Sequence, residues 1–101
     1  MENTHPLQDQ FYLIIQAMLG VYSPNFRSVW VSIGKSVNIF IYLEKKSEDD
    51  LEWIEDFKDE YDALQVEHVP FKVSVIVEAG VISAPEQPNC IPIYHRRERD
   101  R

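Results

Sequence analysis

Cysteine, long apolar runs and clustered basic residues are all scarce in this chain, and each scarcity excludes something. One cysteine, Cys90, among 101 residues rules out an internal disulfide framework and a cysteine-rich zinc site, and it suits a reducing compartment. The longest apolar stretch, Phe11 to Gly20, is too short to span a bilayer. Its flank holds Glu2 and Asp9 with no lysine or arginine, which is wrong for a secretory leader. These observations predict a cytoplasmic protein without a membrane partner. The formal net charge is −7, and the basic footprint that a direct nucleic-acid binder needs is missing.

What is present is acid, and nearly all of it lies in one segment. Residues 47 to 69 hold ten carboxylates and one lysine, a net −9, so the remainder of the chain carries +2. The stretch from Ser47 reads as one amphipathic helix. Leu51, Ile54, Phe57, Tyr61, Leu64 and Gln65, with the Lys58 stem, recur at the spacing of a core-facing stripe. Glu48, Asp49, Glu52, Glu55, Asp56, Asp59, Glu60 and Asp62 fall on the opposite half. Ser47 followed by Asp50 predicts a capping box that starts the helix at Ser47.

A solvated face is the ordinary meaning of such a helix, and acids in the first turn suit its dipole. Stability alone would nevertheless favour mixed signs. The pairs Glu48–Glu52, Glu52–Asp56, Glu55–Asp59 and Asp56–Glu60 are all like-charged at i,i+4, each unfavourable by roughly 0.2–0.5 kcal/mol. A face that opposes the helix carrying it points to a cationic partner. Acids at i and i+4 are also offset by about 6 Å along the axis, on the order of a phosphate spacing. A row such as Glu48, Glu52, Asp56 and Asp59 or Glu60 can thus imitate a nucleic-acid strand, with Trp53 as an aromatic anchor at the stripe's edge. The matching target is the basic cleft of a nuclease. The expected partner-binding residues are Glu48, Glu52, Trp53, Glu55, Asp56, Asp59, Glu60 and Asp62.

Around this helix the order reads α-β-β-α-β-(β). A first helix is predicted from Pro6 to Leu19, stopped by Gly20, with Leu7, Phe11, Ile14, Ile15 and Met18 as its buried stripe. Strands are predicted over Arg27 to Ile33 and Val37 to Leu43. A three-residue Gly34-Lys35-Ser36 loop pairs Val31 with Ile39 and gathers Val29, Val31, Ile33, Val37, Ile39 and Ile41 on one face. A third strand opens after Val69-Pro70, in which Phe71, Val73, Val75 and Val77 alternate with Lys72, Ser74, Ile76 and Glu78. Ala79 to Pro92 reads as loop, and Ile91 to Arg96 as a last strand that Pro92 confines to a sheet edge. The expected fold is therefore α+β, a single domain over residues 1–101. Both helices lie on one face of a mainly antiparallel or mixed sheet, and a basic tail runs from about residue 97.

The other sheet face carries Trp30, Phe40, Tyr42 and Ile76. Either the proline-rich loop and the tail cover it, or it forms a second interface through Trp30, Phe40 and Tyr42. The latter would make the chain a self-associating structural or adaptor protein, a homodimer being its simplest form. Arg96 and Arg97 are either part of a solvated basic tail or a clamp for an acidic patch.

Catalytic signatures are not expected to emerge. His5, His68 and His95 are isolated, without HxH or HExxH spacing. Cys90 sits in a Pro88-Asn89-Cys90 loop with no recognisable base or oxyanion donors. Carboxylates opposite the core stripe lack the dry cleft that acid-base work requires, and a continuous helix cannot wrap calcium. No enzyme activity, metal or cofactor is expected.

The segments LGVYSPNFRSV, SEDDLEWIEDFKDEY and YHRRE, in this order around a hairpin and a strand, carry a resemblance over about Phe11 to Glu98. The chain resembles small cytosolic immunity proteins encoded beside bacterial polymorphic toxins, including those of contact-dependent growth inhibition. The resemblance implies a stoichiometric inhibitor of a cognate toxin, often a nuclease, and assigns no contact residue to a numbered position.

Overall fold

The computed structural model describes residues 6–65 and 69–97. It is an α+β domain with the element order α1 (Pro6–Met18), β1 (Phe26–Ile33), β2 (Val37–Leu43), α2 (Glu48–Leu64), β3 (Phe71–Val77) and β4 (Cys90–His95). The four strands form one mixed sheet in the order β3-β2-β1-β4. His5 and His68 and most of the basic tail lie outside the described residues.

The β1–β2 hairpin has the predicted register, with Val31 opposite Ile39 and Ile33 opposite Val37. Gly34 donates its N–H to the Ser36 carbonyl at 3.0 Å, closing the three-residue loop. Because side chains alternate along a strand, this register sends Val29, Val31, Val37, Ile39 and Ile41 to one face, where all are fully buried. β2 runs parallel to β3, so α2 is the crossover between them. β4 is antiparallel to β1 at the opposite edge, where the register slips between Val29 and Trp30 beside Pro92, as a residue without an N–H demands.

Both helices supply one core with that sheet face. Ile14, Ala17 and Met18 of α1 meet Ile54, Phe57 and Tyr61 of α2 over the strand valines and isoleucines. Full burial of a side chain such as Phe57 or Ile54 contributes about 1.5–3 kcal/mol. The α1 stripe differs from the predicted one. Ile15 stands 45% exposed while Ala17 and Gln10 are buried, and the side chain of Leu7 lies outside the described residues. The helix is rotated so that small Ala17 faces α2, and Gln10 accepts a hydrogen bond from the Tyr61 hydroxyl. Apolar periodicity has no means of selecting a glutamine. The helix ends at Met18, one residue before the expected Leu19, and Gly20 is the stop, with φ +85° and the Val21 N–H donating to the Met18 carbonyl at 2.9 Å.

α2 begins at the predicted cap. Ser47 is extended at φ −145° and its side chain accepts from Asp50 N–H at 3.2 Å. The expected reciprocal half of the capping box is replaced. The Asp50 carboxylate accepts from the Asn25 side-chain amide at 2.9 Å, and the same amide donates to the Lys45 carbonyl at 2.7 Å. Asn25 thereby ties the start of β1 to the start of α2.

Since β3 and β4 are at opposite edges, their connector must traverse the sheet, and it does so over the second face. Buried Arg27, in the irregular step between Phe26 and Ser28, donates through Nη1 to the carbonyls of Glu78 at 2.6 Å and Gly80 at 2.5 Å. Tyr42 donates its hydroxyl to the Ser83 carbonyl at 2.9 Å, and Ser32 Oγ donates to the Pro88 carbonyl at 2.9 Å. Asn89 then turns at φ 59°, a left-handed conformation that asparagine tolerates, and delivers the chain into β4.

Candidate partner-binding surface

Apart from buried Asp50, the acids of α2 stand outside the core. Glu48, Glu52, Asp56, Asp59, Glu60 and Asp62 are exposed, as are Asp49, Glu55 and Trp53. Two ion pairs reach this face, one from within α2 and one from the loop that precedes it. Lys58 Nζ lies 2.9 Å from Glu55, and Lys46 Nζ lies 3.8 Å from Glu48. Among the described residues no arginine pairs with Glu52, Asp56, Asp59 or Glu60. Arg96 is occupied elsewhere, donating to the Pro24 carbonyl at 2.7 Å and to Glu44 at 3.0 Å. Arg97 is exposed.

The structure also divides the acidic half, a division that depends on where α1 lies. Gln10 meets Tyr61 near one end of the helix pair, and Leu19 and Trp53 line one groove near the other, so α1 and α2 run antiparallel. At 100° per residue, Asp49, Trp53, Asp56 and Glu60 fall within about 60° of one another on the flank towards α1. Glu48, Glu52, Glu55, Asp59 and Asp62 occupy the outer flank. Between the helices is an open groove of about 290 Å³, lined by Gln16, Ala17 and Leu19 of the α1 side and by Trp53, Asp56 and Glu60 of α2. Trp53 is 52% exposed there and Leu19 69%.

Outside the groove, on the solvent side of α1, Tyr12 and Ile15 stand within about 60° of Leu19 on the helix, and Tyr12 is 66% exposed. None of the three was expected at a surface site. The signal was nevertheless in the sequence: Phe11, Tyr12, Leu13, Ile14, Ile15, Ala17, Met18 and Leu19 are more apolar positions than one buried face accommodates.

A larger cleft of about 750 Å³ opens at the start of α2, bounded by Tyr22 to Asn25, Ser47, Asp49, Trp53 and Arg96. It mixes both signs of charge, and its most buried polar group, Asp50, is already bonded to Asn25. Burial pushes the Tyr22 phenol up to about 12, aided by neighbouring Tyr94, on which it stacks at 4.2 Å.

The second sheet face is partly sealed. Tyr42 is buried beneath the connector, which withdraws it from the expected self-association surface. Trp30 and Phe40 remain half-buried. Trp30 donates its indole N–H to Ser28 at 3.2 Å and meets His95 edge-on at 5.5 Å. Burial raises the Cys90 thiol above its ordinary value, so less of it is thiolate, the nucleophilic form. Among the described residues no three histidine, cysteine, aspartate or glutamate side chains are grouped to hold a metal ion, and no helix is long and apolar enough to cross a membrane. No protein-family model matches the chain, and no curated protein matches it significantly.

Proposed function

We propose that this chain is a non-enzymatic immunity protein that binds a cognate toxin domain one to one in the cytoplasm and blocks its substrate entry. Its acidic helix would cover a basic surface, and a nuclease active-site cleft is the class of target that a row of carboxylates fits. The observation that carries the reading is the exposed set Glu52, Asp56, Asp59 and Glu60, for which no internal cation is found among the described residues. Complementary charge would chiefly accelerate association.

The test uses the C-terminal domain of any large secreted protein encoded by the adjacent gene. Co-purification of that domain with this chain, followed by association kinetics, is the measurement. Glu52→Lys combined with Asp56→Lys should slow association by about tenfold or more at low salt while the variant stays folded. Unchanged kinetics in a folded double variant would remove α2 from the interface.

A further inference from the structure

The two walls of the α1–α2 groove differ in kind. From Gln10 to Asn25 the chain has no charged residue, so the α1 wall offers only apolar and neutral groups, with Leu19 largely exposed. The α2 wall offers Trp53 between Asp49, Asp56 and Glu60, all acidic. The two neighbouring lysines serve the outer flank instead, Lys58 at Glu55 and Lys46 at Glu48. Among the described residues no cation pairs with Asp49, Asp56 or Glu60. An occupant that satisfies both walls must present an apolar side and a positive side along one axis.

Spacing identifies the form of that occupant. Asp49, Asp56 and Glu60 are separated by about 10 Å and then 6 Å along α2. Those are the intervals between residues i, i+7 and i+11 of a helix lying alongside. A groove between two antiparallel helices also accepts a third helix at ordinary packing distance, about 8–10 Å between axes. We propose that this groove seats a cationic amphipathic helix of the protein partner, its apolar side on Leu19 and Trp53 and its lysines or arginines on Asp56 and Glu60. The proposal rests on the acidic-helix reading above and narrows it to one flank of α2.

A synthetic leucine/lysine amphipathic helix about as long as α2 is the probe, compared with a peptide of the same residues in scrambled order. Backbone amide shifts of the full-length chain report where each binds. The amphipathic peptide should shift Gln16 to Val21 and Trp53 to Glu60, and bind at least tenfold more tightly than the scrambled one. Leu19→Glu separates attraction from seating, because it adds an acid at an exposed position. Bulk charge attraction would hold or tighten in that variant, whereas a seated helix should lose tenfold or more. Equal binding of both peptides with shifts on the Glu55 and Asp59 flank would overturn the groove and leave the acidic-helix reading intact. Binding by neither peptide would also overturn the groove, while the toxin association rates of the Glu52 and Asp56 variant decide the wider reading independently.

Discussion

If the acidic face of α2 is retained for binding, then removing an acid from it should make the protein more stable. Asp56 is the residue to change, because it is exposed and stands between Glu52 and Glu60 at i−4 and i+4. Asp56→Lys converts two like-charged pairs into two opposite ones. Each lost repulsion and each gained attraction is worth roughly 0.2–0.5 kcal/mol, so the four contributions give about 1 kcal/mol, with an upper bound of about 2. Of the two new pairs, the one with Glu52 has the more favourable polarity, glutamate on the N-terminal side of lysine. The position is mid-helix, where the dipole contributes little. For a domain of this size about 1 kcal/mol raises Tm by roughly 4–8 °C. Thermal unfolding of wild type and variant at low salt, repeated at about 1 M salt where the screening length falls to about 3 Å, is the assay. The gain should appear at low salt and shrink at high salt. An equal or lower Tm at low salt would refute the claim that these acids oppose their own helix, and with it the reason for assigning them to a partner.

Three further outcomes test the scaffold. Ser47→Ala removes the side chain that accepts from Asp50 N–H and should cost about 1 kcal/mol in a denaturant titration. Arg27→Met strips the charged bonds to the Glu78 and Gly80 carbonyls; a loss of about 3 kcal/mol, with faster amide exchange across residues 78–89, is expected. The Tyr61 phenol is pushed up by burial to about 12, so the folded state holds its proton at pH values where the unfolded chain has released it. Stability from this group is complete below pH 10 and declines as pH rises towards 12, by up to about 3 kcal/mol; Tyr61→Phe should flatten that alkaline slope.

Strand parity made the hairpin legible before any coordinates. With Gly34-Lys35-Ser36 as the loop, six aliphatic side chains share a face, whereas a register shifted by one residue would divide them between the two faces. The start of α2 was equally legible, because Ser47 and the stripe through Ile54, Phe57 and Tyr61 agree on one boundary. What escaped the sequence were contacts between distant segments. Asn25 reads as a turn residue, yet it bonds Asp50 and Lys45. Gln10 reads as polar surface, yet it is buried against Tyr61. The candidate site was legible only as a set of acids. Its division into two flanks needs the position of α1, which helical periodicity within α2 alone cannot supply.

The strand order explains why the apolar surface left for a partner lies on the helix layer. A β3-β2-β1-β4 sheet places its last two strands at opposite edges, so their connector has to cross the sheet and occupies the second face on the way. Arg27, Ser32 and Tyr42 anchor it there. The first face is consumed by α1 and α2. Val77, Val81 and Ile91 are exposed large side chains on edge strands and connector, separated from one another along the chain. Leu19 and Trp53 by contrast line a single groove, with exposed Tyr12 and Ile15 beside Leu19 on α1, and among the described residues no lysine pairs with Asp56 or Glu60 in its wall. An interface that uses this fold's spare apolar surface must therefore also meet its unneutralised charge, which is why anchor and electrostatic steering should be lost together when Trp53 and Asp56 are changed, and separately when Leu19 or Glu52 is.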